Sequence, residues 1–217
     1  MLNKLVSVVR PYNKEELRKI IKFYSNYYTH ESLNWLDVSN ITDMSYLFSN
    51  TIFDGNISKW NVSNVRNMSY MFSDSLFNSY ISNWDVSNVT ATAYMFEHSK
   101  FNQDISKWDV SNVVTMEGMF SKSVFNGDIS KWDVSNVTDT TYMFQQSKFN
   151  HDISKWYLPK IKYFSAMFNK CPIEEAYKPF CINYDNDDIV TRDDFDDDYK
   201  PVHENRLYRN RPMYHRR

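Results

Sequence analysis

Apolar side chains recur every 24 residues through the middle of the chain. Tryptophan occupies one position of this pattern from Trp60 to Trp156, and Leu36 stands in the same register. Two phenylalanine columns and one isoleucine column keep the same spacing. A period of roughly 20–29 residues is typical of stacked units that each form one turn of a solenoid. The pattern predicts a repeat array over residues 36–169, with five full repeats and a degenerate sixth.

Each repeat contains two kinds of apolar spacing. In residues 57–62, the first, fourth and sixth positions are apolar, which is the spacing of a leucine-rich-repeat strand. Val65, Met68, Met71 and Phe72 then recur at helical spacing. The sequence therefore predicts an α/β fold, with one short parallel strand and one short helix in each 24-residue repeat.

Residues 1–35 precede the array and form its predicted N-terminal cap. Asn13 followed by Glu16 is typical of a helix N-terminus, in which each side chain accepts a hydrogen bond from the other residue's backbone N–H. An apolar stripe then recurs at helical spacing, at Leu17, Ile20, Ile21 and Tyr24. The pattern predicts a capping helix over about residues 13–28.

Residues 170–217 follow the array as an extension that is first acidic and then basic. Eight aspartates lie between Asp185 and Asp198, and five arginines with two tyrosines occupy the last twelve residues. Such a basic end can bind phosphates and stack on bases, or dock on an acidic protein. The alternatives are a solvated extension and one that folds back on the aspartates. The candidate partner-binding residues here are Arg206, Tyr208, Arg209, Arg211, Tyr214, Arg216 and Arg217.

Polar residues of the predicted strand form two charged columns on its outward side. Lys59, Lys107 and Lys131 belong to one column, and Asp109 and Asp133 belong to the other. Neighbouring strands lie about 4.8 Å apart, so columns of opposite sign can neutralise each other across the sheet. These columns predict either a zwitterionic protein-binding face or a surface that serves solubility and register. The tryptophan column takes the inward position, which predicts core packing in preference to an aromatic ladder for sugars or bases.

The residue types that carry chemistry in enzymes show no shared pattern. The five histidines occupy unrelated positions, and Cys171 and Cys181 lack the surroundings of a nucleophile. The column that contains Asn78 and Asn102 lacks the spacing of a calcium loop, so we interpret it as turn residues that tolerate left-handed backbone. The sequence predicts a non-enzymatic chain with no catalytic, cofactor-binding or metal-binding residue. Whether the two cysteines form a disulfide stays open.

Composition narrows the classes of protein to consider. The chain has 217 residues, a net charge of −2 and 42% hydrophobic residues, which is enough for a folded core. This charge balance argues against a wholly basic nucleic-acid-binding protein. The apolar run at residues 5–9 ends at Arg10 and Pro11, and it is too short for a signal peptide or a membrane span. We expect a soluble chain that is intracellular or contained within a particle.

The repeat unit itself resembles a known family. The pattern W-[DN]-V-S-N-V-x-x-M-x-Y-M-F-x-x-S-x-F-N-x-D-I-S, in residues 60–82 and their copies, closely resembles the BspA-like leucine-rich-repeat surface-protein family. The resemblance extends over about residues 36–168. It implies a right-handed leucine-rich-repeat-like solenoid with a parallel strand face, and a role in adhesion or protein binding. Members of that family are commonly exported or attached to a surface.

Three functional hypotheses follow from these patterns. The first is a non-enzymatic scaffold that binds a protein partner through the strand face or one flank of the array. The second is a structural subunit of a larger assembly, a virion or a ribonucleoprotein, anchored by its terminal extensions. In that case the basic end is the candidate contact for nucleic acid. The third, which follows from the family resemblance, is a surface adhesin.

Overall fold

A computed structural model of the chain describes residues 8–179, 181–183 and 188–190. In chain order, the elements are helix α1 (Lys14–Tyr27), a 3-10 helix (Glu175–Tyr177), and strands β1 (Cys181–Asn183) and β2 (Asp188–Val190). The two strands pair antiparallel, with Ile182 opposite Ile189. Within the described residues, no helix has the length and apolar character needed to cross a membrane.

Helix α1 lies inside the segment that the sequence predicts for it. The Asn13 side chain caps the helix by accepting a hydrogen bond from the Glu16 N–H at 3.0 Å. The Glu16 carboxylate accepts from the Tyr12 N–H at 2.6 Å, one residue before the predicted contact. Lys14 reaches Asp43 at 2.9 Å and so joins the helix to the first repeat. The buried side of α1 carries Leu17, Ile21 and Ser25.

The predicted strand at residues 57–62 does not form. The described chain has no strand between Tyr27, where α1 ends, and the 3-10 helix at residue 175. A tight turn at Ser58 and Lys59 interrupts the segment, and the Trp60 N–H donates to the Ile57 carbonyl at 3.1 Å. The apolar spacing is satisfied because the turns direct these side chains into the core, without extended backbone.

The predicted helix at residues 65–72 does not form either. Tyr70 and Asp74 have φ angles of 58° and 53°, in the left-handed region, which a right-handed helix cannot contain. Met71 donates to the Met68 carbonyl three residues earlier, so the segment is a series of turns. Side chains three residues apart still face the core in these turns. The observed turns and the predicted helix therefore require the same spacing of apolar residues.

Backbone hydrogen bonds join each repeat to the next. The N–H groups of Met44, Tyr46 and Phe48 donate to carbonyls 23 residues further along the chain, at 2.8, 3.1 and 2.9 Å. The same series recurs in later repeats and ends with the Gln146 N–H and the Asn169 carbonyl at 2.8 Å. Isolated parallel bridges accompany it, from Asp43 with Asn67 to Asp139 with Tyr163. Parallel pairing between repeats therefore occurs, but beyond the segment predicted to be a strand.

The apolar columns form one continuous core. The five tryptophans of the column are between 3% and 5% exposed, so the prediction that they belong to the core is confirmed. Each indole N–H also donates to the preceding repeat, as Trp84 does to the Ile57 carbonyl at 3.2 Å. Phenylalanines of adjacent repeats stack, for example Phe96 and Phe120 with ring centroids 5.7 Å apart.

The asparagine turn column joins one repeat to the next. Asn78, Asn102 and Asn126 are absent from the residues with positive φ, so the left-handed backbone that asparagine tolerates is not adopted at these positions. Instead, each Asn side-chain oxygen accepts the backbone N–H of the same position one repeat later. The Asn102 N–H donates to Asn78 Oδ1 and the Asn126 N–H to Asn102 Oδ1, both at 2.8 Å. The column is a hydrogen-bonded ladder between repeats.

Candidate interaction surface

The lysine and aspartate columns are exposed, but the aspartates have structural partners within their own repeats. Asp109 Oδ1 accepts hydrogen bonds from the Ser111 N–H at 3.1 Å and the Ser111 hydroxyl at 2.6 Å. Asp133 accepts from the Ser135 N–H at 3.0 Å. The hydroxyl and N–H of Ser135 hold the pKa of Asp133 below its ordinary value. The aspartate column therefore closes a turn in each repeat.

The expected mutual neutralisation of these two columns is not found among the described residues. The ion pairs found within 4.0 Å among the described residues involve none of Lys59, Lys107, Lys131, Asp109 or Asp133. The lysines instead act on a third column, which holds Asp104 and Asp128. The pKa of Asp104 is lowered mainly by the Ser106 hydroxyl, with a smaller contribution from Lys107. Lys131 contributes in the same way to the lowered pKa of Asp128, whose main cause is the Ser130 N–H.

The remaining candidates from the sequence lie at the C-terminal end. Cys171 is half-buried, and its thiol donates to the Phe149 carbonyl at 3.2 Å. The side chain of Cys181 and the basic end lie outside the described residues. The candidates concerned at the basic end are Arg206, Tyr208, Arg209, Arg211, Tyr214, Arg216 and Arg217. Among the described residues, no group of three or more His, Cys, Asp or Glu side chains could hold a metal ion.

A row of stacked tyrosines forms a surface feature that the sequence analysis missed. Tyr46, Tyr70 and Tyr94, here called the tyrosine strip, occupy the same position in three successive repeats. The ring centroids of Tyr46 and Tyr70 lie 4.6 Å apart, and their planes are inclined by 6°. The ring centroids of Tyr70 and Tyr94 lie 4.9 Å apart, with an angle of 14° between their planes. The available signal was the recurrence of tyrosine every 24 residues, two positions before a buried phenylalanine.

The backbone explains why these side chains point outward. All three tyrosines have φ between 55° and 60°, a conformation that costs a non-glycine residue roughly 1–2 kcal/mol. Each is held there because its N–H donates to the next repeat, as Tyr70 does to the Ala93 carbonyl at 2.8 Å. The cost is therefore offset by bonds between repeats, which the local sequence does not reveal.

Charged side chains surround the C-terminal end of the tyrosine strip. The Tyr94 hydroxyl donates to Glu117 Oε1 at 2.8 Å. Lys122 Nζ lies 3.7 Å from Glu97 Oε1, and His98 Nδ1 lies 2.5 Å from Asp74 Oδ1. Burial raises the pKa of Tyr94, and the bond to Glu117 raises it further. We call Asp74, Glu97, His98, Glu117 and Lys122 the central cluster.

Gly118 ends the tyrosine strip. It occupies the tyrosine position of the next repeat and has the same left-handed backbone, with φ of 56°. A Cβ atom at Gly118 would lie 2.2 Å from Tyr94 Cε1, so any side chain there would displace the tyrosine ring. The glycine thus leaves space for Tyr94 to lie over the next repeat and reach Glu117.

This surface offers ring edges, hydroxyl groups and charges of both signs. Its ring faces pack on each other at less than 5 Å, so no base or sugar ring fits between them. Tyr46 remains 44% exposed at the N-terminal end of the strip. The arrangement suits hydrogen bonding and ring-edge packing against a protein surface. Tyrosine is enriched at protein interfaces because it offers both kinds of contact.

The features above define a protein of 24-residue repeats that are joined by backbone hydrogen bonds and carry one surface that departs from the repetition. A family model described as "Mycoplasma protein of unknown function, DUF285" matches residues 16–122 and again residues 77–178. The chain belongs to this family. No curated protein and no solved structure matches the chain significantly.

Proposed function

We propose that the chain is a non-enzymatic scaffold that binds a protein partner on the tyrosine strip and the central cluster. The observation that carries this proposal is the loss of repetition in the central cluster, beside the tyrosine strip. Asp74, His98 and Lys122 occupy one position in three successive repeats, and their charges differ. A specific partner requires such differences, whereas the lysine and aspartate columns present nearly the same residues in each repeat.

The shape of the array supports a role in binding. The regular bonds between repeats favour a solenoid, which the BspA-like resemblance implies to be right-handed. Solenoids present long surfaces whose residues are held by neighbouring repeats, and they commonly bind proteins. The tyrosine strip is such a surface, because three rings are ordered by stacking before a partner arrives. Ordered side chains lose less conformational entropy on binding.

Affinity capture from the native source tests this proposal. The bait proteins are the full chain, a Tyr46→Ser/Tyr70→Ser variant, and a matched Tyr80→Ser/Tyr157→Ser variant that changes exposed tyrosines outside the strip. We expect the strip variant to recover about tenfold less partner than the full chain, and the matched variant to recover as much as the full chain. Equal recovery by all three baits, with unchanged melting temperatures, would exclude the strip as the binding surface.

An alternative is a structural subunit of a larger assembly, favoured by the segregated charges of residues 185–217. In that case the C-terminal extension, and not the tyrosine strip, carries the contact. A chain ending at Tyr184 should then leave the assembly while keeping its melting temperature. Nuclease treatment of the captured assembly would separate a nucleic-acid contact from a protein contact. Retention of the truncated chain in the assembly would argue against this function.

A further inference from the structure

The outward side of α1 is an exposed surface that is both basic and aromatic. Arg18, Lys19, Lys22, Phe23 and Tyr27 are exposed there, and we call these residues the outer face of α1. Phe23 is 50% and Tyr27 70% exposed, with ring centroids 5.2 Å apart. None of the three basic residues makes an ion pair within the described part of the chain.

Aromatic packing beneath the outer face of α1 holds this face in place. Tyr24 packs between Phe23 and Trp35, with ring centroids 5.6 and 5.7 Å away. Clustered exposed aromatic rings beside an arginine are typical of interaction surfaces, and Lys19 and Lys22 add positive charge to this one. The face is at the N-terminal end of the array, because α1 is joined to the first repeat by Lys14 and Asp43.

The chain itself contains a segment of complementary chemistry. Residues 193–199 read D-D-F-D-D-D-Y, with five aspartates around Phe195 and ending in Tyr199. This segment combines acidic with aromatic side chains, whereas the outer face of α1 combines basic with aromatic side chains. We propose that the outer face of α1 binds residues 193–199 of a second copy of the chain.

The length of the array between α1 and Tyr177 favours a contact between copies. The bridges from Asp43 to Tyr163 span five repeat spacings, or about 24 Å at the usual distance between strands. The acidic segment follows Tyr177, whose carbonyl accepts from the Ile153 N–H at the far end of the array. Within one chain the segment would have to run back along the whole array. Copies arranged end to end place Tyr177 of one copy, from which the chain continues to this segment, near α1 of the next copy.

Such a contact joins two different surfaces, so a single contact leaves one unoccupied α1 face and one unoccupied acidic segment in each pair of copies. A head-to-tail interface produces rings or open chains of copies. Its charges are exposed, so its strength falls as salt screens them. The assembly should therefore grow with protein concentration at low salt and disperse at high salt.

Sedimentation velocity of the full chain at about 50 mM and about 300 mM salt tests this proposal. The head variant is Lys19→Glu/Lys22→Glu, and the tail variant changes Asp193, Asp194, Asp196, Asp197 and Asp198 to Asn. The matched control, Lys107→Glu/Lys131→Glu, makes the same charge change at exposed lysines of the array. We expect the wild type and the control to form oligomers at low salt, with an apparent dissociation constant about tenfold weaker at high salt.

The decisive sample is an equal mixture of the head and tail variants. Each variant alone should be monomeric, whereas the mixture should form pairs and nothing larger, because only one intact head and one intact tail remain. A monomeric wild type at low salt, or a head variant that assembles like the control, would overturn the proposal. A mixture that stays monomeric, with both variants melting as the wild type does, would also overturn it and would indicate a contact within one chain.

Discussion

At the scale of single residues, the repeated polar side chains mostly hold one repeat to the next. The asparagine ladder accepts backbone N–H groups across repeats, and the tryptophan N–H groups reach carbonyls of the preceding repeat. A second ladder runs through Asn88 and Asn112, whose amides donate to carbonyls at Ser63 and Ser87. The repeated asparagines and tryptophans are therefore structural in this protein.

The asparagine ladder makes a prediction at Asn102. Asn102→Asp keeps the oxygen that accepts the Asn126 N–H, as Asp54 does for the Asn78 N–H at 2.7 Å. Asn102→Leu removes that oxygen and leaves the N–H without its acceptor. We expect the leucine variant to lose about 1 kcal/mol of unfolding free energy in urea, and the aspartate variant to lose much less. Equal losses of unfolding free energy in the two variants would show that the side-chain oxygen does not stabilise the array.

The aspartates that close turns make the array sensitive to acid. Hydrogen bonds from serine hydroxyl and N–H groups lower the folded-state pKa of Asp85 and Asp133. Their contribution to stability is complete above the unfolded pKa of about 3.9, and it is lost as pH falls through the lower folded-state values. We expect the melting temperature to fall between about pH 5 and pH 3.

Asp133→Asn tests the cause of this acid dependence. Asn61 occupies the same column and accepts the Ser63 N–H at 3.1 Å, so an amide can close the turn. The variant should match the wild type near neutral pH and lose less of its melting temperature in acid. A pH profile that is unchanged from the wild type would assign the acid dependence to other carboxylates.

At the scale of elements, left-handed residues replace the helix that the pattern predicts. Two such positions occur in each repeat, four residues apart, as at Tyr94 and His98. They turn alternate N–H groups towards the next repeat, where they find carbonyl acceptors. A helix would satisfy these groups within the repeat and leave the repeats joined by side chains alone.

Gly118 makes a prediction for the turn that ends the tyrosine strip. Alanine is compatible with the left-handed backbone there, since Ala166 has a φ of 51° at the same position of a later repeat. Its Cβ would nevertheless displace the Tyr94 ring and weaken the bond to Glu117. We therefore expect Gly118→Ala to lower the pKa of Tyr94 towards the ordinary tyrosine value. Carbon-13 NMR titration measures this pKa, and Tyr94→Phe assigns the signal. An unchanged pKa would show that the ring adapts without losing Glu117.

At the scale of the whole molecule, each repeat is stabilised by its two neighbours. Hydrogen bonds and ring stacking run between adjacent repeats, and α1 packs on the first of them. In such an array the stability is approximately a sum over repeats and their interfaces. The array should therefore tolerate the removal of a whole repeat, but not the removal of part of a repeat.

Removal of residues 133–156 tests this property. The deletion joins Trp132 to Tyr157, keeps the register, and leaves the tyrosine strip in place. We expect a cooperatively folded chain with a lower melting temperature and a urea m-value reduced with the buried surface. Removal of residues 133–144 breaks the register and should abolish cooperative unfolding. If both deletions unfold alike, the repeats do not act as independent stacking units.

The sequence by itself determined the 24-residue period, the burial of the tryptophan column and the capping of α1 by Asn13. Each of these depends on spacing along one short stretch of chain, which apolar burial and a capping side chain decide locally. The tertiary structure decided the turns within each repeat, the tyrosine strip and the separation of Asp109 from the lysines. These features depend on where backbone N–H groups find acceptors, and most of those acceptors belong to the neighbouring repeat, 23 or 24 residues away.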